Sequence, residues 1–358
     1  MTVTRALRRC DYVALRQTAR RCGKMLAALQ VVVIGFASVP DKPGTVPNVD
    51  CRTSTPFDHD VYGKGYVVCD LCGEAQRVYV EMSADTFKDL ADYRAGSDFS
   101  VDVPGDCAPY KHVYLSYAVG SMHPPWDGRQ FLGGSPGGYG RPHVDVHFST
   151  LSVAERESRT GECTTYLQGP VSPSGEPILC NIYVTDEANL KFLNLPPSEL
   201  TAGFSTIGTF GGASIKNCGT HMLPESDLAP GGPAHCTSTG QFGDWQDCNA
   251  QMMAAITGQT PVDHDCSCGS WEDGTSPVLN GYDGEVIGEE VMVAIGQLEM
   301  LRDKTLPNPY VKAFGPEGSA KSGGYVATST ISALVDVEGE SRWRMGLICD
   351  GMASEQAK

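Results

Sequence analysis

Residues 141–148 read Arg-Pro-His-Val-Asp-Val-His-Phe, and the alternation inside them decides the fold. In an extended strand, side chains at i, i+2 and i+4 share a face. Val144, Val146 and Phe148 therefore form one apolar row, and His143, Asp145 and His147 form a polar row on the reverse. A helix would scatter both sets around its circumference, so residues 143–150 are predicted as a strand. Residues 112–119 (HVYLSYAV) repeat the pattern, with Val113, Leu115, Tyr117 and Val119 on one side.

Outward from these two segments, further strands are predicted at residues 66–69, 77–82, 178–184, 205–210, 286–295, 324–337 and 343–349. Tyr282-Asp-Gly284 and Glu338-Gly-Glu340 supply turns between antiparallel neighbours. Two helices are expected. One spans 83–94, with Ser83 as N-cap, and the other spans 152–159, opened by a Ser152/Glu155 capping box. The chain has 358 residues with 41 Gly and 23 Pro, a composition that favours turns over long helices. The predicted class is mainly β, α+β at most: an antiparallel barrel or sandwich with long disulfide-tied loops. Its expected organisation is a linker at 40–60, a small α+β subregion at 61–110, a β-rich core domain at 111–350 and a tail at 351–358.

The first 24 residues hold seven basic side chains against the single acid Asp11, and residues 25–39 (MLAALQVVVIGFASV) are uncharged. Basic, apolar and small segments in that order predict a secretory signal over residues 1–39. An uncleaved signal anchor and an Arg-rich organelle presequence are the alternatives, although the apolar run is short against the ~20 residues of a membrane span. The formal net charge is −16, and −22 for the chain past residue 39. That balance excludes a reader of phosphate backbones and repels anionic membranes, so neither nucleic acid nor membrane is an expected partner.

Twelve of the 14 cysteines follow residue 39. An even number in an exported chain predicts disulfides, as many as six, and a secreted or secretory-lumen location. Cys69-Asp-Leu-Cys72 lacks the strand-to-helix context of a redox motif. His264, Cys266 and Cys268 read as part of a cystine-tied loop rather than as zinc ligands.

The polar row carries the chemistry. Three polar residues on one face of a buried strand are costly unless they bond something. Two imidazoles separated by two strand steps can reach one divalent ion. Asp145 is either a third ligand or an acceptor that fixes a histidine tautomer. His221, in Cys218-Gly-Thr-His-Met222, and Glu290, opposite the apolar Val291, Val293 and Ile295, are the candidates from distant sequence. The expected metal ligands are thus His143, His147, His221 and Glu290, with Glu290 or Asp145 as the candidate catalytic base and zinc as the foremost ion. His59, His112, His123 and His235 receive no role.

Pro142-His143-x-Asp145-x-His147-Phe148 resembles the signature of a family of uncharacterised, often exported proteins, a domain of unknown function. Gly219-Thr-His221, Tyr282-Asp-Gly284 through Glu290 and Met292, and Tyr325 to Arg344 resemble further blocks in the same order, so that the likeness spans residues 110–350. One member of that family forms a ring-like homo-oligomer, which makes self-association an expectation; the resemblance implies no reaction.

Three functions compete on these residues. The first is a divalent-metal hydrolase or lyase acting on a small-molecule or extracellular ligand. The second is a non-catalytic extracellular structural or binding module that oligomerises, with a structural metal or none. The third is a cupin-like iron protein, whose usual His-x-His spacing is absent.

Overall fold

The computed structural model describes residues 51–72, 76–87, 98–105, 107–119, 142–160, 187–206, 214–215, 217–233, 236–238, 266–268, 271, 273–314, 321–322 and 325–350. The expected leader, the strand at 178–184, His123, His235 and His264 lie outside them. Two antiparallel sheets dominate. The first runs β1 (Arg52–His59), β2 (Gly63–Asp70), β3 (Gln76–Ser83), β17 (Glu340–Asp350), β16 (Tyr325–Val337) and β14 (Tyr310–Ala313), with β15 (Lys321–Ser322) also on β16. The second runs β4 (Phe99–Asp102), β5 (His112–Val119), β6 (Pro142–Ser149), β13 (Glu285–Ala294), β12 (Thr275–Tyr282), β9 (Gly219–Pro224) and β7 (Phe204–Thr206), with β8 (Ser214–Ile215) also on β9. A separate ribbon pairs β10 (Cys236–Ser238) with β11 (Cys266–Cys268). Among the described residues four helices connect strands: α1 (Val153–Thr160), α2 (Glu187–Leu193), α3 (Glu225–Leu228) and α4 (Ile295–Arg302).

Alternation explains how the sheets stack. The first contributes Val67, Val78, Val80, Met82, Trp343, Met345 and Leu347 to one shared core, and the second contributes Val113, Leu115, Tyr117, Val144, Val146, Phe148, Leu279, Val291 and Val293. Val113, Leu115 and Tyr117 of the row read from residues 112–119, and Val144, Val146 and Phe148 of the row read from 143–150, lie in that core. Burial of such side chains contributes about 1.5–3 kcal/mol each, which favours two open sheets pressed face to face. Among the described residues neither sheet closes on itself, because β4 and β7 end one and β1 and β14 end the other. The arrangement is a sandwich, and the barrel alternative is set aside together with the cupin-like reading.

The two predicted turns form with both central residues in the left-handed region. Asp283 and Gly284 have φ of 51° and 82°, and Glu338 and Gly339 have φ of 56° and 85°. That geometry matches the twist of the paired strands. The capping box also forms. The Glu155 amide donates to Ser152 Oγ at 3.2 Å, and the Ser152 amide donates to Glu155 Oε2 at 2.8 Å.

Several expectations are corrected. Residues 52–59, read as the end of a linker, form the edge strand β1, and residues 99–102, read as loop, form β4. Residues 61–110 do not stand apart, since β2 and β3 join the first sheet and β4 joins the second. Ser83 ends β3 and residues 84–87 form a turn, so the expected helix at 83–94 does not start there. Cys69 and Cys72 pair with different partners, Cys107 and Cys51, which rules out a redox Cys-x-x-Cys. Among the described residues Cys218 and Cys349 are buried and lie outside any disulfide, short of the expected pairing of all twelve cysteines. The two disulfides fit an oxidising compartment. Among the described residues no helix is long and apolar enough to cross a membrane.

Candidate metal centre

The outer face of the second sheet is as buried as the inner one. His143 and Glu290 are 0% exposed, while Asp145, His221 and Asn280 are each 3% exposed. Strand register places them together. Glu290 lies across from His147 on one side and Val278 on the other, and Asn280 lies across from His221 and Gly288. Gly288 is the gap in this row. A Cβ there would come within 2.6 Å of the Phe148 carbonyl oxygen, and with no side chain in the way Asn280 Nδ2 comes 3.2 Å from His147 Nδ1.

The charged atoms converge on Glu290. Its Oε2 lies 3.3 Å from His147 Nδ1 and 3.5 Å from His221 Nε2. Potential donor atoms of Asp145, His147 and Glu290 all lie within 4.8 Å of one another, and so do those of His147, Cys218 and His221. His147 belongs to both sets. Burial pushes the Glu290 carboxyl well above the ordinary carboxylate range, and the adjacent Asp145 carboxylate adds to the effect. Two carboxylates held side by side away from water cannot both stay ionised: either one keeps a proton or a cation joins them. Burial likewise pushes the Cys218 thiol up.

A second layer of residues encloses the cluster. Trp271 packs with Leu223, Val278, Met292 and Ala294 on the same outer face. On the other flank, α1 carries Arg156, whose guanidinium carbon sits 4.3 Å over the Tyr114 ring while Nη2 donates to Ser100 Oγ at 3.3 Å. Between Arg156 and His147 lies a cavity with room for about one water, lined also by Tyr114, Cys218 and Asn280.

The structure therefore brings together Asp145, His147, His221 and Glu290. His143 stands apart from both donor sets: its Nε2 is 3.4 Å from Asp145 Oδ1, and its ring meets Trp271 edge-on at 5.7 Å. It lies beside Asp145, outside both groups. Three contributors were not read from sequence, namely Cys218, Asn280 and Arg156. Cys218 had a signal, a cysteine three residues before a candidate histidine, which the expectation of a disulfide overrode. Asn280 and Arg156 had none. Of the histidines given no role, His59 lies between Tyr62 and Phe99, and His112 Nδ1 bonds the Leu151 carbonyl at 2.6 Å. No family model, no curated protein and no solved structure matches this chain.

Proposed function

We propose that this protein is an exported, divalent-metal-binding β-sandwich whose centre is built from Asp145, His147, His221 and Glu290, and that it acts as a zinc-type hydrolase or lyase. One observation carries the reading. Two carboxylates and two imidazoles from β6, β9 and β13 meet on one buried sheet face, where without a cation the paired carboxyls can avoid buried like charge only by keeping a proton. Mixed nitrogen and oxygen donors of this kind suit zinc and its neighbours.

The water-sized cavity beside His147 supports the catalytic form. A divalent ion would lower the pKa of a bound water towards neutrality, and whichever of Glu290 and Asp145 does not bind the ion would take the proton. Arg156 and Tyr114 also line that cavity and would meet a substrate oxygen placed there. The substrate class is a small molecule or an extracellular ligand.

The near-complete burial of the donors favours a second reading, a non-catalytic module with a closed structural metal, since closed sites are structural. Self-association, implied by the family resemblance, belongs to this reading and is checked by light scattering of the purified chain. Elemental analysis of protein purified without chelator or affinity metal is the primary test, with about one divalent transition ion per chain expected. A metal-free, fully folded protein sinks both forms. If metal is present, removing it separates them: the catalytic form loses turnover with modest loss of stability, whereas the structural form unfolds.

A further inference from the structure

Within the metal-centre reading, on which this step rests, we infer that Cys218 is itself a ligand and that the centre selects a thiophilic divalent ion over magnesium or calcium. Cys218 does not lie on the regular part of β9. It occupies the turn just before it, flanked by Asn217 and Gly219, both in the left-handed region with φ of 67° and 83°. Strict alternation back from His221 would send residue 218 to the opposite, inner face. Two left-handed residues break that alternation, and Cys218 lines the cavity on the outer face together with Tyr114, His147 and Arg156. Gly219 is needed for this turn, because a Cβ there would come within 2.6 Å of the Gly281 carbonyl oxygen.

The chemistry agrees with the placement. The sulfur lies within 4.8 Å of donor nitrogens of both His147 and His221, a cysteine–histidine–histidine set typical of zinc ligation. It stays a thiol in a chain that oxidises Cys51, Cys69, Cys72 and Cys107. On binding, a sulfur lone pair forms the bond to the ion and the thiol proton leaves to solvent. Charge then closes: a thiolate and two carboxylates against a divalent ion leave one negative charge, and Arg156 beside the same cavity supplies the matching positive one. Soft sulfur binds zinc, cobalt or cadmium strongly and hard magnesium or calcium poorly.

The test loads metal-free full-length protein with cobalt(II). The expected result is one cobalt per chain with visible d–d bands and a near-ultraviolet sulfur-to-cobalt charge-transfer band that persists in excess magnesium and calcium. Cys218→Ser should lose the charge-transfer band, keep the d–d bands and bind cobalt more weakly by at least the roughly 10- to 100-fold that loss of an outer-shell partner costs. Cys349→Ala, at a thiol in the inter-sheet core, should keep the band. A cobalt-loaded protein without that band, or one that keeps it in Cys218→Ser, overturns the assignment and leaves the metal centre standing. Failure to bind cobalt at all overturns the centre and this assignment together. Should Cys218→Ser not fold, alkylation of the wild type decides. Iodoacetamide should modify Cys218, located by peptide mapping, in the metal-free protein and spare it in the loaded one; equal modification overturns the proposal.

Discussion

His147 is the side chain shared by both donor sets, and His143, four residues away on the same face, belongs to neither. The difference sets their expected phenotypes apart. His147→Ala should abolish stoichiometric metal binding. His143→Ala should leave one ion per chain at roughly 10- to 100-fold lower affinity, because it lies beside Asp145 and outside both donor sets. Titration calorimetry with zinc separates the two, and equal loss in both variants would place His143 among the ligands. His112 makes a different prediction. Burial holds its pKa down to about 4, below its ordinary value of 6.5, so it is neutral in the folded protein and its Nδ1–H donates to Leu151. Between pH 6.5 and about 4 the unfolded chain takes a proton that the folded chain refuses. His112 therefore removes stability as pH falls through that window, by roughly 3 kcal/mol. Urea unfolding at pH 7 and pH 4.5 should show a smaller acid loss in His112→Gln than in the wild type. At this scale the sequence was informative where alternation alone decides, as for Asp145 and His147. It was silent where a neighbouring strand supplies the partner, as for Asn280.

Single elements carry the next set of expectations. Gly288 lets β6 and β13 approach while His147 and Asn280 meet above it, so Gly288→Ala should both destabilise and disturb the centre. The added methyl meets backbone rather than a movable side chain. A loss of about 1–3 kcal/mol in chemical unfolding, with weakened metal binding, is expected; an unchanged variant would mean that the strands can part at no cost. At the start of α1, the backbone and hydroxyl of Ser152 and the Lys111 ammonium hold the Glu155 carboxyl down to about 2. Its contribution is present above pH 4.5 and fades as pH falls towards 2. The Tm difference between wild type and Glu155→Gln should accordingly shrink from pH 6 to pH 3. Strands β5, β6, β13, β16 and β17 were legible because runs of β-branched and aromatic residues end in recognisable turns. β12 was not, since Thr275-Ser-Pro-Val-Leu-Asn-Gly-Tyr282 is buried on both faces and shows no alternation. Its Pro277 is tolerated because β9 pairs only with Leu279, Asn280 and Gly281, leaving the proline where β13 alone is bonded.

At the scale of the whole molecule, the two disulfides among the described residues differ in what they hold. Cys51–Cys72 ties the edge strand β1 to the end of β2 within one sheet, whereas Cys69–Cys107 joins β2 of the first sheet to the connection between β4 and β5 of the second. Replacing Cys69 and Cys107 by Ala should cost about 2–4 kcal/mol by calorimetry, and replacing Cys51 and Cys72 less. Equal losses would show that the link between sheets adds nothing beyond loop closure. Topology at this scale was the least legible level, because the second sheet gathers β4 to β6, β7 to β9 and β12 to β13 from segments far apart in the chain, and local pattern does not encode which edges meet. The alternation along β6 and β13 has a consequence for how such a protein changes over generations. Positions 144, 146, 148, 291 and 293 answer to the sandwich, while 143, 145, 147 and 290 answer to the centre, and one layer of backbone keeps the two groups apart. Descendants can therefore retool the reactive surface one parity at a time, inheriting the scaffold untouched.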